Sequence, residues 1–395
     1  MNLAQTLRKA VQLFGKKEAI VCGNRRWSYQ AFYDRVNRLS CHLSDQGIKK
    51  EDKVALLQPN CHYFLEAYYG VAQIGAISVP INYRLSPKEI AFILQDSESK
   101  ILIVDPMFQK QVDSIRGEMR GIKQILWTGE KEVAQEPRDS GYEKAIQGST
   151  GRPPETVMIL GEDVAQIYYT SGTTGRPKGV LLSHKNVCTH ALGTIAELHL
   201  TDHDVWVHVA PLFHLADAWA TWAITWAGGT HVLVREFDPK AVFEAIEREG
   251  VTITNLIPTM LNLMVNHPEV GKHDYRSLRA LLSGGAPIAP EVVRKIVDTF
   301  KCDYIQTYGM TETSPYLTLS LLKEHLKALP YEDQLRFKSK TGREFIGVEL
   351  RVVNDRGGDV RKDEKEVGEI IVKGDIVTRG YWKLPEETEK AIKNG

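Results

Sequence analysis

The residues best suited to chemistry lie in one stretch, Tyr169-Thr-Ser-Gly-Thr-Thr-Gly-Arg-Pro-Lys-Gly-Val180, which continues an apolar run at residues 164–169. Hydroxyl groups, backbone N–H groups made accessible by glycine and one lysine ammonium can together surround a polyphosphate. A Walker A loop is excluded, because Lys178 lies between proline and glycine where that pattern requires Gly-Lys-Ser/Thr. This composition is also common in ordinary surface loops, so the order of the residues is what favours a phosphate site.

Three further segments contain residues of the same kind. They are Pro211-Leu-Phe-His214, Ser283-Gly-Gly-Ala-Pro287 and Gln306-Thr-Tyr-Gly-Met-Thr-Glu-Thr313. Together with the lysine loop, and in this order, they resemble the motifs of the adenylate-forming superfamily. That superfamily contains acyl- and aryl-CoA synthetases, adenylation domains of peptide synthetases and firefly luciferase. The resemblance spans essentially the whole chain and is to the large N-terminal domain of an acyl-CoA synthetase of the fatty-acid–CoA ligase type.

The resemblance implies ATP-dependent activation of a carboxylic acid. The carboxylate attacks the α-phosphate of ATP, acyl-AMP forms and pyrophosphate leaves, and the full-length protein then transfers the acyl group to CoA. Since the substrate itself is the nucleophile, the protein has to supply in-line positioning and neutralisation of the phosphate charges. The implied small molecules are the acid, ATP, Mg²⁺ and CoA, with AMP as a product.

The resemblance also implies roles within the nucleotide site. Lys178 and the loop hydroxyls would hold the β- and γ-phosphates, Thr311 the α-phosphate, and Glu312 would ligate Mg²⁺, which prefers oxygen ligands. Tyr308 would stack on adenine. The expected catalytic residues are Lys178, His214, Thr311 and Glu312. The expected nucleotide-binding residues are Thr170, Ser171, Gly172, Thr173, Thr174, Gly175, Lys178, Gly284, Gly285, Ala286, Pro287, Gln306, Thr307, Tyr308, Gly309, Met310 and Thr311.

The implied acid pocket consists of His214, Asp217, Trp219, Asn255, Pro258, Gly284 and Gly309. It offers aliphatic and aromatic surface, and the resemblance, which is closest to fatty acyl-CoA ligases, favours a medium- or long-chain fatty acid. Asp217 keeps an amino acid open, because amino-acid-adenylating domains use an aspartate near this position for the ammonium group. A fatty acyl-AMP ligase and an aryl-acid-activating domain also stay open. Trp219 lies five residues after His214, one more than in the tryptophan-gated fatty-acid tunnels of some family members. Its helical spacing with Trp222 and Trp226 predicts core packing for at least two of the three.

The composition restricts the partners and the compartment. Lys+Arg and Asp+Glu both number 50 in the 395 residues, so no net charge favours a nucleic acid. Five scattered cysteines without a CxxC pair exclude a zinc ribbon and favour the cytoplasm. The N-terminus lacks a signal-peptide pattern, and residues 205–234, which contain no Lys or Arg, predict a buried core segment rather than a membrane span. Peripheral membrane contact and a homodimer stay open.

Strands alternate with amphipathic helices along the chain, which predicts an α/β fold with mostly parallel sheets. The resemblance implies two packed α/β subdomains, 1–185 and 186–335, and a small antiparallel β-barrel subdomain, 336–395. Family members continue into a ribose-binding Asp, a hinge and a C-terminal domain of about a hundred residues, all of which we expect to be absent here. The chain is then either naturally short or a piece of a longer protein. On its own we expect it to bind nucleotide and acid with little turnover.

Overall fold

The computed structural model describes residues 1–129, 136–151, 157–170 and 176–393. The α-helices are α1 (Leu3–Phe14), α2 (Tyr29–Asp45), α3 (His62–Gln73), α4 (Pro87–Asp96), α5 (Gln109–Ile115), α6 (Tyr142–Gln147), α7 (His184–Leu198), α8 (Leu215–Ala227), α9 (Pro239–Glu249), α10 (Pro258–Val265), α11 (Pro290–Phe300), α12 (Glu324–Lys327), α13 (Tyr331–Lys338) and α14 (Pro385–Ala391). The strands are β1 (Glu18–Cys22), β2 (Arg25–Ser28), β3 (Lys53–Leu57), β4 (Ile77–Pro80), β5 (Ser99–Val104), β6 (Gln124–Trp127), β7 (Asp139–Gly141), β8 (Val164–Thr170), β9 (Lys178–Ser183), β10 (Val205–His208), β11 (Thr230–Leu233), β12 (Ile253–Asn255), β13 (Ala280–Ser283), β14 (Asp303–Gly309), β15 (Tyr316–Leu319), β16 (Arg343–Glu344), β17 (Val348–Val353) and β18 (Glu369–Gly374).

The first sheet has seven strands in the order β7-β6-β5-β3-β4-β8-β9. All of its neighbours pair in parallel except β8 and β9, which are antiparallel. Strands such as β4 are buried along their whole length, as expected for a parallel sheet covered on both faces. The lysine loop therefore connects the last two strands of this sheet.

The second sheet has nine strands in the order β16-β15-β14-β13-β12-β10-β11-β1-β2. The hairpin of β1 and β2, which the sequence predicts at residues 20–28, forms, but it extends this second sheet: Ile20 pairs in parallel with His231 of β11. The predicted division at residue 185 assigns this hairpin to the first subdomain, so the structure differs from that division here. Local patterns reveal a hairpin but not the distant strand that it pairs with.

Helices α1, α2, α3, α7 and α8 contact one another, and their apolar faces share one core with side chains from both sheets. Several helix starts have the caps that their sequences predict, namely Ser28, the capping-box spacing Ser86-Pro-Lys-Glu89, and Asp238-Pro239. The Ser28 side chain accepts a hydrogen bond from Ala31 N–H at the start of α2. Ser86 and Glu89 form a complete capping box at α4. The helix predicted to begin at Pro239 has its N-cap at Asp238.

The C-terminal part contains a two-stranded antiparallel sheet of β17 and β18. Among the described residues this small sheet, rather than a barrel, is what the region from 336 onwards contributes, and β16 instead continues the nine-stranded sheet. The chain then returns to the first sheet, where Tyr381 forms a β-bridge with Val180. No helix in the described parts of the chain is both long and apolar enough to span a bilayer.

Candidate active site

The sequence motifs lie at the carboxyl ends of parallel strands. Residues 209–214 follow β10 and residues 284–287 follow β13, both in the nine-stranded sheet, and the lysine loop follows β8 in the other sheet. Carboxyl ends of neighbouring parallel strands meet at one edge of a sheet, which is where ligands bind in open α/β folds. The topology therefore places each motif at the ligand-binding edge of its own sheet.

A cavity of about 370 Å³ is bounded by three of the four motifs. Thr170 and Pro177 come from the flanks of the lysine loop, Phe213 and His214 from the second motif, and Thr311 from the fourth. The rest of the wall consists of Asn82, Leu85, Glu89, Ile93, Tyr168, Tyr169 and Leu215. Its volume is in the range of small-molecule binding sites.

Of the predicted phosphate-binding loop, Ser171, Gly172, Thr173, Thr174 and Gly175 lie outside the described residues. Its two ends are described.

Thr170 ends β8 and pairs with Lys178, the first residue of β9. The Lys178 ammonium forms an ion pair with the Glu387 carboxylate of α14 and lies 5.5 Å from the centroid of the Tyr381 ring. Hydrogen bonding to Lys178, aided by Lys390, lowers the pKa of Glu387 to about 2. The lysine predicted to meet phosphate is therefore held by a carboxylate 209 residues further along the chain.

Glu312 lies in a short 3₁₀ turn, Thr311–Thr313, directly after β14. One carboxylate oxygen accepts a hydrogen bond of 2.8 Å from the Tyr381 hydroxyl, and its backbone carbonyl accepts one from Thr378 N–H. Burial and then the neighbouring Glu312 carboxylate raise the pKa of Tyr381, so this tyrosine stays a neutral donor. The Glu312 carboxylate is thus held in a fixed position next to Thr311, which lines the cavity.

The turn at residues 283–287, which was predicted to bind the nucleotide, is fastened to β14 by side chains of the fourth motif. Thr307 Oγ1 donates to the Ser283 carbonyl at 3.1 Å, and Gln306 Nε2 donates to the Ala286 carbonyl at 3.0 Å. Both side chains are buried, so they hold the turn in place rather than face solvent. By contrast, Tyr308 is 37% exposed, which leaves its ring accessible for the predicted stacking on a base.

Two glycines of these motifs are required by close approach. A Cβ at Gly284 would lie 2.2 Å from Thr307 Oγ1, and a Cβ at Gly309 would lie 1.9 Å from the Pro315 carbonyl oxygen. Gly285 differs, since its φ of +83° favours glycine although no atom lies within 4 Å of the position that a Cβ would take. Close packing alone therefore accounts for glycine at 284 and 309.

His214 is the N-cap residue of α8, and its Nδ1 accepts a hydrogen bond of 3.2 Å from Ala216 N–H. In the neutral ring the proton is therefore on Nε2. Although the side chain is exposed at the cavity wall, loss of water in this concave setting lowers the pKa of His214. A neutral imidazole with one N–H donor is thus present at the cavity at neutral pH.

The buried Asn60, which follows β3, fastens the His214 segment to the first sheet. Its amide donates to the carbonyls of His208 and Ala210 at 3.2 and 3.0 Å and accepts from Leu212 N–H at 2.8 Å. The Tyr68 hydroxyl of α3 adds a hydrogen bond of 2.7 Å to the Leu212 carbonyl. These contacts join the two sheets beside the cavity.

The placement of Asp217 in the acid pocket is wrong. Asp217 is fully buried, and its two carboxylate oxygens accept hydrogen bonds from Trp206 Nε1 at 3.1 Å and His208 Nδ1 at 2.7 Å. A carboxylate with both oxygens bound inside the protein is not available to a substrate ammonium group. The argument that kept an amino acid substrate open therefore loses its support.

Two of the other predicted pocket residues, Trp219 and Asn255, contact the first turn of α8. Trp219 is 1% exposed, packs 4.9 Å from the Trp206 ring and 5.1 Å from the Tyr316 ring, and donates to the Ala216 carbonyl at 3.0 Å. The buried Asn255 amide donates to the same carbonyl at 2.8 Å. Trp219 is thus a packed core residue. Pro258 is half-buried at the first position of α10.

Several residues beside the site were not predicted from the sequence: Asn60, Tyr381 and Glu387, together with Trp206, His208 and His231. His208 and His231 gave a signal that could have been used, since His208 ends an otherwise apolar strand and His231 directly precedes the apolar Val232 and Leu233. Histidine in such a strand needs a buried polar partner.

Comparisons with known proteins agree with this arrangement. The family described as AMP-binding enzyme matches residues 7–382. A long-chain-fatty-acid–CoA ligase of Thermus thermophilus is 36% identical over 99% of this chain and 72% of its own length. A 4-hydroxybutyrate–CoA ligase of Metallosphaera sedula is 29% identical over 98% of this chain and 71% of its own length.

Among solved structures, the inhibitor-bound N-terminal domain of FACL13 from Mycobacterium tuberculosis superposes with a TM-score of 0.89 at 30% identity, covering 100% of this chain and 94% of that one. The same protein family thus accounts for the sequence and the fold. The chain belongs to the AMP-binding enzyme family and is an AMP-forming acid–CoA ligase.

Proposed function

We propose that the protein activates an aliphatic carboxylic acid with ATP and that the acyl-AMP then reacts with CoA. The observation that carries this proposal is the cavity itself, which gathers the flanks of the lysine loop, His214 and Thr311 in one wall. Acid, α-phosphate and β,γ-phosphates must meet in one place for in-line attack. Neither a nucleophilic side chain nor a covalent enzyme intermediate is needed.

Within this proposal, Thr311 binds the α-phosphate, Lys178 and the loop bind the outgoing pyrophosphate, and the His214 N–H faces the reacting acid. Glu312 is the residue that would hold Mg²⁺, since a carboxylate suits this cation. When bound, the ion would neutralise phosphate charge. Tyr381 would keep the Glu312 carboxylate oriented through its hydroxyl.

For the acid we propose a medium- or long-chain fatty acid. The apolar side chains of Leu85, Ile93, Phe213 and Leu215 on the cavity wall and the name of the Thermus relative support this choice. The hydrogen bonds of Asp217 within the protein weigh against an amino acid. The Metallosphaera relative, named for 4-hydroxybutyrate, makes a short acid the second candidate. The cysteines, which form no disulfide among the described residues, support the cytoplasm. A homodimer and peripheral membrane contact stay predictions.

Pyrophosphate exchange into ATP, followed over a panel of acids from butanoate and 4-hydroxybutanoate to hexadecanoate, tests the function. We expect exchange to depend on the acid and on Mg²⁺, with the largest kcat/KM for a medium or long chain. Benzoate and an amino acid provide the controls from the alternative classes. Exchange with none of these acids, in a preparation that binds ATP, would contradict the proposed function.

Replacing Lys178 with alanine should weaken the binding of ATP much more than the binding of AMP. The ammonium would contact the β- and γ-phosphates, and a charge-assisted hydrogen bond contributes about 1.5–3 kcal/mol. Calorimetric titration with both nucleotides gives the two affinities. The matched control is Glu387→Gln, which removes the ion partner of Lys178 and should strengthen the binding of ATP. Equal losses for ATP and AMP in Lys178→Ala would place the lysine away from the outer phosphates.

A further inference from the structure

Helix α8 has an unusual distribution of polar residues. Between Leu215 and Ala227 its polar side chains are Asp217, Thr221 and Thr225, spaced four residues apart on one face, and the rest are alanine, tryptophan, leucine and isoleucine. In most helices the polar face is turned towards water. Here all three polar residues are fully buried.

A continuous chain of hydrogen bonds runs from this polar face into the sheet and back. Asp217 Oδ2 lies 2.7 Å from His208 Nδ1, and His208 Nε2 lies 2.9 Å from His231 Nδ1. His231 Nε2 then lies 2.9 Å from Thr225 Oγ1. We call Asp217, His208, His231 and Thr225 the buried relay. It connects two points of one helix, eight residues apart, through β10 and β11.

The buried relay gives this helix one preferred rotation. The tryptophans of α8 favour one rotation by packing, and the buried polar face adds a requirement that apolar packing does not impose. A carboxylate and two imidazoles without solvent are satisfied only when each meets its partner. Turning or sliding α8 would leave the Asp217 carboxylate unpaired in the core.

The first turn of the same helix forms part of the cavity. His214 caps α8 and bonds Ala216 N–H, while the Ala216 carbonyl receives the side chains of Trp219 and Asn255. Any rotation of α8 would therefore displace His214 and its neighbours on the cavity wall. The buried relay itself stays out of reach, since all four residues are fully buried.

We infer that Asp217, acting through the buried relay, is a positioning residue that fixes His214 and the wall of the acid half of the site. This inference rests on the proposed function, because it takes the His214 side of the cavity as the place of the acid. Asp217 does not contact the acid. Its effect should therefore appear in binding of the acyl part and leave binding of the nucleotide part unchanged.

The chemistry of the buried relay distinguishes asparagine from leucine at position 217. An ionised carboxylate only accepts, so His208 Nδ1 must carry a proton. An asparagine could still accept from Trp206, while its amide would donate to His208 Nδ1. The relay then reverses: His208 Nε2–H donates to His231, and His231 Nε2–H donates to Thr225. No hydrogen bond is lost, whereas leucine leaves Trp206 Nε1 and His208 Nδ1 without the partner that Asp217 provides.

The experiment compares Asp217→Asn, Asp217→Leu and Thr225→Val with Thr221→Val as the matched control. Thr221 lies on the same buried face, but its hydroxyl has no hydrogen-bond partner among the described residues. Calorimetry measures dissociation constants for AMP and for two non-hydrolysable acyl-AMP analogues, decanoyl and butanoyl sulfamoyl adenosine. The ratio of the dissociation constant of the analogue to that of AMP isolates the contribution of the acyl part to binding. Melting temperatures are recorded for each variant.

We expect Asp217→Leu to weaken binding of the analogue that the wild type binds more tightly at least tenfold, and binding of AMP less than twofold. Thr225→Val should weaken binding of the same analogue about threefold. Asp217→Asn should bind both ligands with the affinity of the wild type, and Thr221→Val should change the affinity for neither ligand. If Asp217→Leu does not fold, Thr225→Val and the asparagine variant decide the question. If a variant had a lowered melting temperature but bound the analogues as the wild type does, the inference would be overturned and Asp217 would have only a structural role.

Nitrogen-15 spectra of labelled histidine provide a second measurement, assigned with His208→Gln and His231→Gln variants. We expect a protonated Nδ1 of His208 in the wild type and an unprotonated one in Asp217→Asn. The same Nδ1 state in both proteins would overturn the relay. These outcomes are separate from failure of the proposed function, which would appear as wild-type protein binding neither analogue more tightly than AMP.

Discussion

Glu312→Gln should lower the rate of acyl-adenylate formation at least about a hundredfold, comparable to the loss of one preorganised electrostatic group from an active site. The substitution changes little volume and keeps an oxygen that can accept from Tyr381, which now bonds the carboxylate at 2.8 Å. It removes the charge that suits Mg²⁺. Pyrophosphate exchange over a range of Mg²⁺ concentrations measures the effect, and thermal unfolding should give a melting temperature close to the wild type.

Tyr381→Phe is the control for this prediction. It removes the hydroxyl that orients Glu312 but leaves the carboxylate and its charge, so we expect a loss of tenfold or less. Near-normal exchange by Glu312→Gln at saturating Mg²⁺ would contradict the role of Glu312. A larger loss in Tyr381→Phe than in Glu312→Gln would assign the main role to the tyrosine instead.

Gly309→Ala should be the most disruptive methyl group that can be added near the site. The new Cβ would lie 1.9 Å from the Pro315 carbonyl oxygen, an impossible contact with backbone, so β14 and β15 must move apart. Overpacking of this kind costs about 1–3 kcal/mol and occasionally more. Denaturant unfolding should show that loss, and nucleotide affinity should fall because Thr311 and Glu312 follow directly in the chain.

Gly285→Ala provides the comparison, since this glycine has a positive φ and no atom within 4 Å of the Cβ position. Its cost should be limited to the strain of a left-handed residue, about 1 kcal/mol. If Gly309→Ala were no more destabilising than Gly285→Ala, the strand ends would not be as closely packed as described. Equal nucleotide binding by both variants would show that the cost does not reach the site.

The features that the sequence predicted correctly are those in which neighbouring residues decide the outcome. The capping box at Ser86 and the α/β alternation follow from spacing within a few residues. The motif positions at strand ends follow in the same way, since an apolar run with a glycine-rich segment after it marks a strand and its exit. The buried tryptophans of α8 were predicted from their helical spacing.

The features that the sequence did not reveal depend on contacts between distant residues. The pairing of Ile20 with His231 and of Lys178 with Glu387 joins residues about 200 positions apart, and no local pattern specifies such a partner. Asp217 was misplaced for a related reason. An aspartate in an apolar segment can bind a ligand or a buried donor, and only the position of His208 decides between the two.

The segment from Tyr381 to Glu387 contacts both charges of the proposed phosphate site: the tyrosine bonds Glu312, and the glutamate pairs with Lys178. A triphosphate that takes Lys178 must release Glu387, so ATP binding and the docking of α14 oppose each other in one thermodynamic cycle. Linkage makes this opposition reciprocal. ATP should therefore expose α14 to proteases and hydrogen exchange, whereas AMP, which lacks the outer phosphates, should leave it protected.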